Sequence, residues 1–255
     1  MLNSAIKGKL RSIYGRLFFG LSFFLPKIAY RAYLPDSVFV FNKYPESKAL
    51  YSRWIRNDKI NNKGDLNRFY SLILNLQQLL DEGIKGDFAE LGVYQGTTAS
   101  VIAHYAKKGD RTFFLFDTFE GFDRRDLVDI DAPNTSDFSD TSYTAVSNFV
   151  GNKDICKYCI GYFPESVTEE ASSRNFAFVH LDCDLYKPMC DALKFFWPRL
   201  SNGGLLFLHD YSSGHWEGAK KAIDEFCQET GCFVVLLPDK SGSAVIRKQI
   251  NQLNS

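Results

Sequence analysis

Net charge is the first thing this chain lacks: thirty lysines and arginines balance thirty aspartates and glutamates. A neutral molecule has no overall field to draw in a nucleic acid, and no nucleic-acid-binding module is visible in the sequence. Long hydrophobic runs are missing too. The apolar stretch 17–25 (Leu-Phe-Phe-Gly-Leu-Ser-Phe-Phe-Leu) falls far short of the roughly 20 residues a spanning helix needs. There are no repeats and no low-complexity tracts. The pair Cys156-Lys-Tyr-Cys159 stands alone, with no second CxxC or close histidine pair to complete a zinc site. The six cysteines are therefore read as reduced, partly buried thiols of a cytoplasmic protein. A chain of 255 residues, 45% of them hydrophobic, buries enough core to need no disulfide.

Charge is unevenly spread. Up to residue 35 every charged side chain is basic (Lys7, Lys9, Arg11, Arg16, Lys27 and Arg31), and the first acid is Asp36. The arm 1–35 is read as retained, because Pro26-Lys27 follows its apolar stretch and no small-x-small cleavage site is evident. It has two readings: a helix packed on the domain or on a second subunit of a homo-oligomer, or an interfacial anchor at the inner membrane face. The first is favoured. Residues 36–85 read as a helical cap with its clearest helix at 69–80, and 86–255 as the main domain.

From residue 88 onward, short apolar runs alternate with helical stretches, the pattern of βαβ units and a mostly parallel sheet. Strands are expected at 88–93, 112–116, 155–160, 176–181, 205–208, 232–237 and 243–246, the last two forming a hairpin. Helices are expected at 97–107, 143–149, 188–200 and 217–230. Asn202-Gly203-Gly204 reads as a turn into the fifth strand. Residues 117–141 are acidic and aperiodic, as in a long active-site loop.

The strongest local signal is Gly86-Asp-Phe-Ala-Glu90-Leu-Gly92-Val-Tyr94-Gln-Gly96-Thr97-Thr. A strand enters a glycine turn and then a helix, where α/β sheets bind nucleotide-like ligands. The spacing is not G-x-G-x-x-G, and Glu90 precedes the first glycine. A carboxylate there repels a pyrophosphate but suits the ammonium and sulfonium of S-adenosylmethionine. Gly92 and Gly96 permit close approach of the backbone. Asp117, followed by Thr118, closes the second strand 21 residues after Gly96 and is placed to accept hydrogen bonds from ribose hydroxyls. Phe163, in Gly161-Tyr-Phe-Pro, offers an edge to adenine. The bland reading of the glycine turn is a plain strand–turn–helix.

The second signal is Leu181-Asp182-Cys183-Asp184-Leu185-Tyr186, directly after an apolar strand. The next strand ends in His209-Asp210-Tyr211. Polar groups at the carboxyl ends of neighbouring parallel strands face one crevice. Three carboxylates meeting there imply a divalent metal or raised pKa values, although strand-end aspartates also cap helices. Asp182 and Asp184 would share a side if the strand continued past them. With a metal on Asp184 and Asp210 lowering the pKa of an acceptor hydroxyl, Asp182 would take its proton. His180, inside a strand, is read as packed or hydrogen-bonded, and Tyr94, Phe119 and Trp216 as rings that can face a sugar.

At these residues the chain resembles the macrocin O-methyltransferase (TylF-type) family, over about 86–226. The matching blocks are GDFAELGVYQG, FDTFEGF, LDCDLYKPMCDAL, LSNGGLLFLHDY and EGAKKAIDEF. The resemblance implies a Rossmann-like class I methyltransferase fold, with a seven-stranded, mostly parallel sheet and a helical N-terminal extension. It implies S-adenosylmethionine, Mg²⁺ with Mn²⁺ as substitute, and methylation of a sugar hydroxyl on a small-molecule or glycan acceptor. It gives Asp182 the catalytic role and makes Asp184 and Asp210 metal ligands. The cofactor is expected on Glu90, Gly92, Tyr94, Gly96, Thr97, Asp117, Thr118, Phe163 and Asp182. Where the family commonly has two adjacent aspartates, this chain has His209-Asp210. His209 then has three readings: a ligand that suits Mn²⁺, Fe²⁺ or Zn²⁺ better than Mg²⁺, a bystander beside a two-carboxylate metal, or the base of a metal-independent enzyme. A catechol-like phenol acceptor, a Rossmann oxidoreductase and a non-catalytic platform are the rival readings.

Overall fold

The computed structural model describes residues 46–57, 65–135 and 137–249. Two compact units divide the chain, Met1–Ser47 and Lys48–Ser255; of the first, residues 46 and 47 alone are described, and the basic arm lies outside the described residues. No described helix is long and apolar enough to cross a membrane.

Two helices precede the sheet, α1 (Glu46–Asn57) and α2 (Leu66–Asp81). Asp65 starts α2 by accepting from the Asn67 and Arg68 amides, both at 3.1 Å, which satisfies two of the donors a helix start leaves over. Its buried face carries Phe69, Leu72, Ile73, Leu76 and Leu79, the three- and four-residue spacing of one helical stripe.

The seven strands are β1 (Asp87–Leu91), β2 (Phe113–Asp117), β3 (Cys156–Ile160), β4 (Phe176–Leu181), β5 (Leu200–Leu208), β6 (Val235–Leu236) and β7 (Ala244–Arg247), in the order β3-β2-β1-β4-β5-β7-β6. Only β7 runs against its neighbours, antiparallel to both β5 and β6. The expected doubly wound, mostly parallel sheet is thus in place. Helices α3 (Thr97–Lys108), α4 (Tyr143–Val150), α5 (Glu169–Ser172), α6 (Tyr186–Arg199) and α7 (Glu217–Thr230) fill the connections. All six residues of β4 are buried, as the helices covering both faces require.

Two expectations need correction, and one short helix was not expected. Asn202-Gly203-Gly204 makes no turn: it lies within β5, where the register against β4 slips between Phe176 and Phe178 and Gly203 takes φ +77°. That is a bulge, for which a glycine is suited. The strand expected at 232–237 shrinks to Val235–Leu236, because β7 pairs only those two residues. The short helix α5, capped by the Thr168 hydroxyl on the Ala171 amide at 3.2 Å, has too few residues to show a period.

On one side of the sheet the core is built from rings. Phe196 lies 5.2 Å from Phe176, 5.7 Å from Phe116 and 5.9 Å from Phe163, centroid to centroid. This cluster ties β2, β4 and the loop after β3 to α6 and so fixes those elements relative to one another. Phe196→Ala is expected to cost about 3–5 kcal/mol, read as a lower urea midpoint at unchanged slope.

Candidate active site

The strand ends surround a cavity of about 590 Å³, a size that takes one cofactor-sized ligand. On its β1–β2 side, Gly92 has φ +85°, and a Cβ there would lie 1.9 Å from the Asp182 carbonyl oxygen. Only glycine lets the loop after β1 pass so close to the loop after β4. Asp117 secures that loop: Oδ2 accepts from the Val93 and Tyr94 amides at 2.6 and 2.9 Å, and Oδ1 from the Phe119 amide at 2.6 Å. A carboxylate has about four acceptor positions, so one remains for a ligand hydroxyl. Burial pushes the Asp117 carboxyl up despite those three amides.

Gly92, Tyr94, Thr97, Asp117, Thr118 and Phe163 all line the cavity. Glu90 and Gly96 do not. Glu90 is fully buried beneath it, Oε1 2.9 Å from His180 Nδ1, and burial holds its carboxyl well above the usual range. Gly96 opens α3 at φ +78° and faces Val146 and Val150 of α4. Of the aromatic candidates, Tyr94 and Trp216 line the cavity, while Phe119 packs on Tyr143 and Tyr158. Phe122, Phe138 and Trp216 form a wall of rings, with centroids 5.1 to 6.1 Å apart.

Across the cavity, β4 and β5 deliver the acids. Strand β4 stops at Leu181, so Asp182 and Asp184 do not share a face by strand alternation as expected. Instead Asp184 turns with φ +60° and Asp210, after β5, turns with φ +59°. Aspartate tolerates this left-handed conformation better than most residues, and the paired turns aim both carboxylates at one point. One ligand atom each from Asp182, Asp184, His209 and Asp210 lies within 4.8 Å of the others.

The cluster is electrostatically tense. Burial, then neighbouring Asp210 and Asp182, holds the Asp184 carboxyl well above its usual range. Burial also opposes ionisation of Asp182, but His209 and Arg68 overcome it and hold this carboxyl far below its usual range. His209 is pushed up to about 9, since Asp182 and Asp210 outweigh its burial and the repulsion from Arg68. Its Nδ1 lies 2.6 Å from an oxygen of each aspartate. Even so, both ring nitrogens are buried without an aligned hydrogen-bond partner.

Sequence reasoning passed over Arg68. It reaches from α2 to Asp182 Oδ2 at 2.6 Å and is 1% exposed. The signal was there: Arg68 precedes Leu72, Leu76 and Leu79 on the apolar stripe, and a charge on such a stripe is buried with a partner. The acidic loop after β2 holds two more buried acids. Asp131 accepts from the Tyr186 amide at 2.7 Å, capping α6 from 55 residues away, and Asp126 accepts from the Tyr162 hydroxyl at 2.7 Å.

Fold and site together define a class I, Rossmann-like methyltransferase architecture. Solved structures of the same fold include the O-methyltransferase NovP, with a TM-score of 0.63, 19% identity and coverage of 78% of this chain and 88% of that one. The calicheamicin methyltransferase CalS11 aligns with a TM-score of 0.59 and 20% identity over 85% and 95% of the two chains. The sequence model of the macrocin O-methyltransferase (TylF) family matches residues 64–234, and the chain belongs to that family. Two curated relatives are each 27% identical. Mycinamicin III 3''-O-methyltransferase of Micromonospora griseorubida matches over 61% of this chain and 66% of its own length. The 8-demethyl-8-(2,3-dimethoxy-α-L-rhamnosyl)-tetracenomycin-C 4'-O-methyltransferase of Streptomyces olivaceus matches over 58% and 61%. The matched stretch thus spans just under two thirds of these relatives.

Gly92→Ala brings a Cβ onto the Asp182 carbonyl and strains φ. A loss of about 3 kcal/mol is expected, the upper end for strained backbone, seen as a lower thermal midpoint.

Proposed function

We propose that this chain is an S-adenosylmethionine-dependent O-methyltransferase that methylates a sugar hydroxyl with the help of a divalent metal. The observation carrying this reading is the convergence of Asp182, Asp184, His209 and Asp210 within 4.8 Å, in the wall of the cavity that Gly92 and Asp117 also line. The description of the tetracenomycin relative names a rhamnosyl group on its substrate, which supports a sugar acceptor.

The residues present fit a divalent ion. Asp184 is penalised beside Asp210, and His209 Nε2 is buried without a hydrogen-bond partner; a cation would relieve both. Asp184, His209 and Asp210 would hold it, and it would supply Lewis acidity that lowers the pKa of the acceptor hydroxyl. A mixed imidazole–carboxylate set suits Mn²⁺ better than Mg²⁺. Asp182, kept ionised by Arg68, accepts the hydroxyl proton at Oδ1, the oxygen that Arg68 leaves open. Asp117 takes a ribose hydroxyl at its remaining acceptor position. Phe122, Phe138 and Trp216 offer apolar faces to a sugar ring and exclude water. The alignment of hydroxyl and methyl donor then contributes much of the acceleration.

Asp182→Asn is expected to lower kcat by about 10²–10⁴ while calorimetry shows S-adenosylhomocysteine binding within a few-fold of wild type. Binding of NAD in place of S-adenosylhomocysteine would overturn the reading. For the metal, calorimetry on the wild type should show Mn²⁺ bound more tightly than Mg²⁺, and His209→Asp should narrow or reverse that order. Equal affinities in both proteins would remove His209 from the ligand set.

A further inference from the structure

Glu90 lies outside the cavity, yet it is connected to the reacting end of the site. Glu90 of β1 and His180 of β4 are register partners in the parallel ladder, and His180 Nδ1 lies 2.9 Å from Glu90 Oε1. The other ring nitrogen, Nε2, is 3.3 Å from Arg68 Nη2. That same Nη2 donates to Asp182 Oδ2 at 2.6 Å and lies 3.4 Å from Thr98 Oγ1. Glu90 and His180 are 0% exposed and Arg68 is 1% exposed. A guanidinium can only donate, so His180 Nε2 must be the acceptor; the imidazole proton therefore sits on Nδ1 and is donated to Glu90. Burial keeps the His180 ring neutral, consistent with that tautomer. The guanidinium is packed from the α1 side by the Trp54 ring, 5.9 Å from Cζ to centroid.

We infer that Arg68 is a positioning residue, held by the Glu90–His180 pair, that clamps one oxygen of Asp182 so that the other faces the acceptor. Arg68 takes Oδ2, and Oδ1 is left toward His209 and the cavity. Without that clamp the Asp182 side chain can rotate or be drawn wholly into the cluster of Asp184, His209 and Asp210. Simple anchoring of α2 would not need the arrangement, because the apolar stripe of that helix already docks it and a buried ion pair adds little net stability over an apolar pair. Lysine does not replace Arg68 at this site: Nη2 makes the contacts to Thr98, His180 and Asp182, and a lysine ammonium ends one bond short of that atom.

The inference rests on the proposed role of Asp182, and its test separates the two. Arg68→Ala and Arg68→Lys should lower kcat by about 10²-fold, the scale of a 1 Å misplacement of a reacting group. KM for the acceptor and the affinity for S-adenosylhomocysteine should stay within a few-fold. Methylguanidinium added to Arg68→Ala should restore part of kcat, and should do nothing for wild type or Asp182→Asn; a purely structural role would not respond in this way. His180→Asn, which keeps a neutral side chain at the same place, should show a smaller loss in the same direction and serves if Arg68→Ala does not fold. Crystal structures of wild type and Arg68→Lys with S-adenosylhomocysteine give a readout free of turnover. Asp182 should turn its carboxylate in the variant. An unchanged kcat with a lowered melting temperature, or an unmoved Asp182, overturns the positioning role. A wild type with no methyl transfer whose Asp182 still turns in Arg68→Lys overturns the proposed activity instead.

Discussion

Repulsion among carboxylates at one mouth of the sheet is the constraint on which the rest of this structure depends. Asp182, Asp184 and Asp210 are brought within 4.8 Å of one another, together with His209, in surroundings where burial alone opposes their charges. Such a cluster is not stable by default. It survives because Arg68 is delivered from α2, because His209 sits between two of the acids, and because the chain spends left-handed backbone at Asp184 and Asp210. Each of these is costly, and together they have no evident structural benefit. Costs gathered at one place belong to function.

The fold supplies the precision. Strand β1 is paired to β2 on one side and β4 on the other, so the glycine loop and the Asp182 loop leave adjacent strands. Their contact at Gly92 is closer than any side chain would permit. Asp117 then ties the glycine loop to the end of β2 through two backbone amides, those of Val93 and Tyr94. A movement of any one strand end is therefore transmitted to the glycine loop and the acid cluster alike. The ring cluster about Phe196 resists such movement.

Much of this was legible in the sequence, and the failures are instructive. Strands β1, β2, β4 and β5 announce themselves as apolar runs because both faces are covered, and Asp182, Asp184, His209 and Asp210 are readable because they follow those runs directly. What the sequence could not display is pairing over distance. Arg68 meets Asp182 across 114 residues, and Asp131 caps α6 across 55; neither leaves a local pattern beyond a charge in an unexpected place. The Asn202-Gly203-Gly204 segment was misread for a related reason. Its turn chemistry is genuine, but the neighbouring β4 decides whether two glycines make a turn or a bulge.

Glu90 shows how a sound inference can rest on the wrong atom. Its position before the glycine turn argued against a pyrophosphate ligand, on the ground that a carboxylate would face it. The side chain instead points beneath the cavity to His180, and burial favours its neutral form. It therefore cannot provide that repulsion. The argument transfers to acids that line the cavity and are not pushed up as far as Glu90 and Asp184 are: Asp117, Asp123, Asp126, Asp182 and Asp210, against the cations Arg68, His209 and Lys240. Of those cations Arg68 and His209 are already engaged by Asp182. An anionic dinucleotide entering this space would be repelled by the excess of negative charge, and the sulfonium and ammonium of a cationic ligand would be drawn to it. The preference for a cationic ligand thus belongs to the whole wall of the cavity, and Glu90 contributes to it only through the hydrogen bonds that hold Arg68.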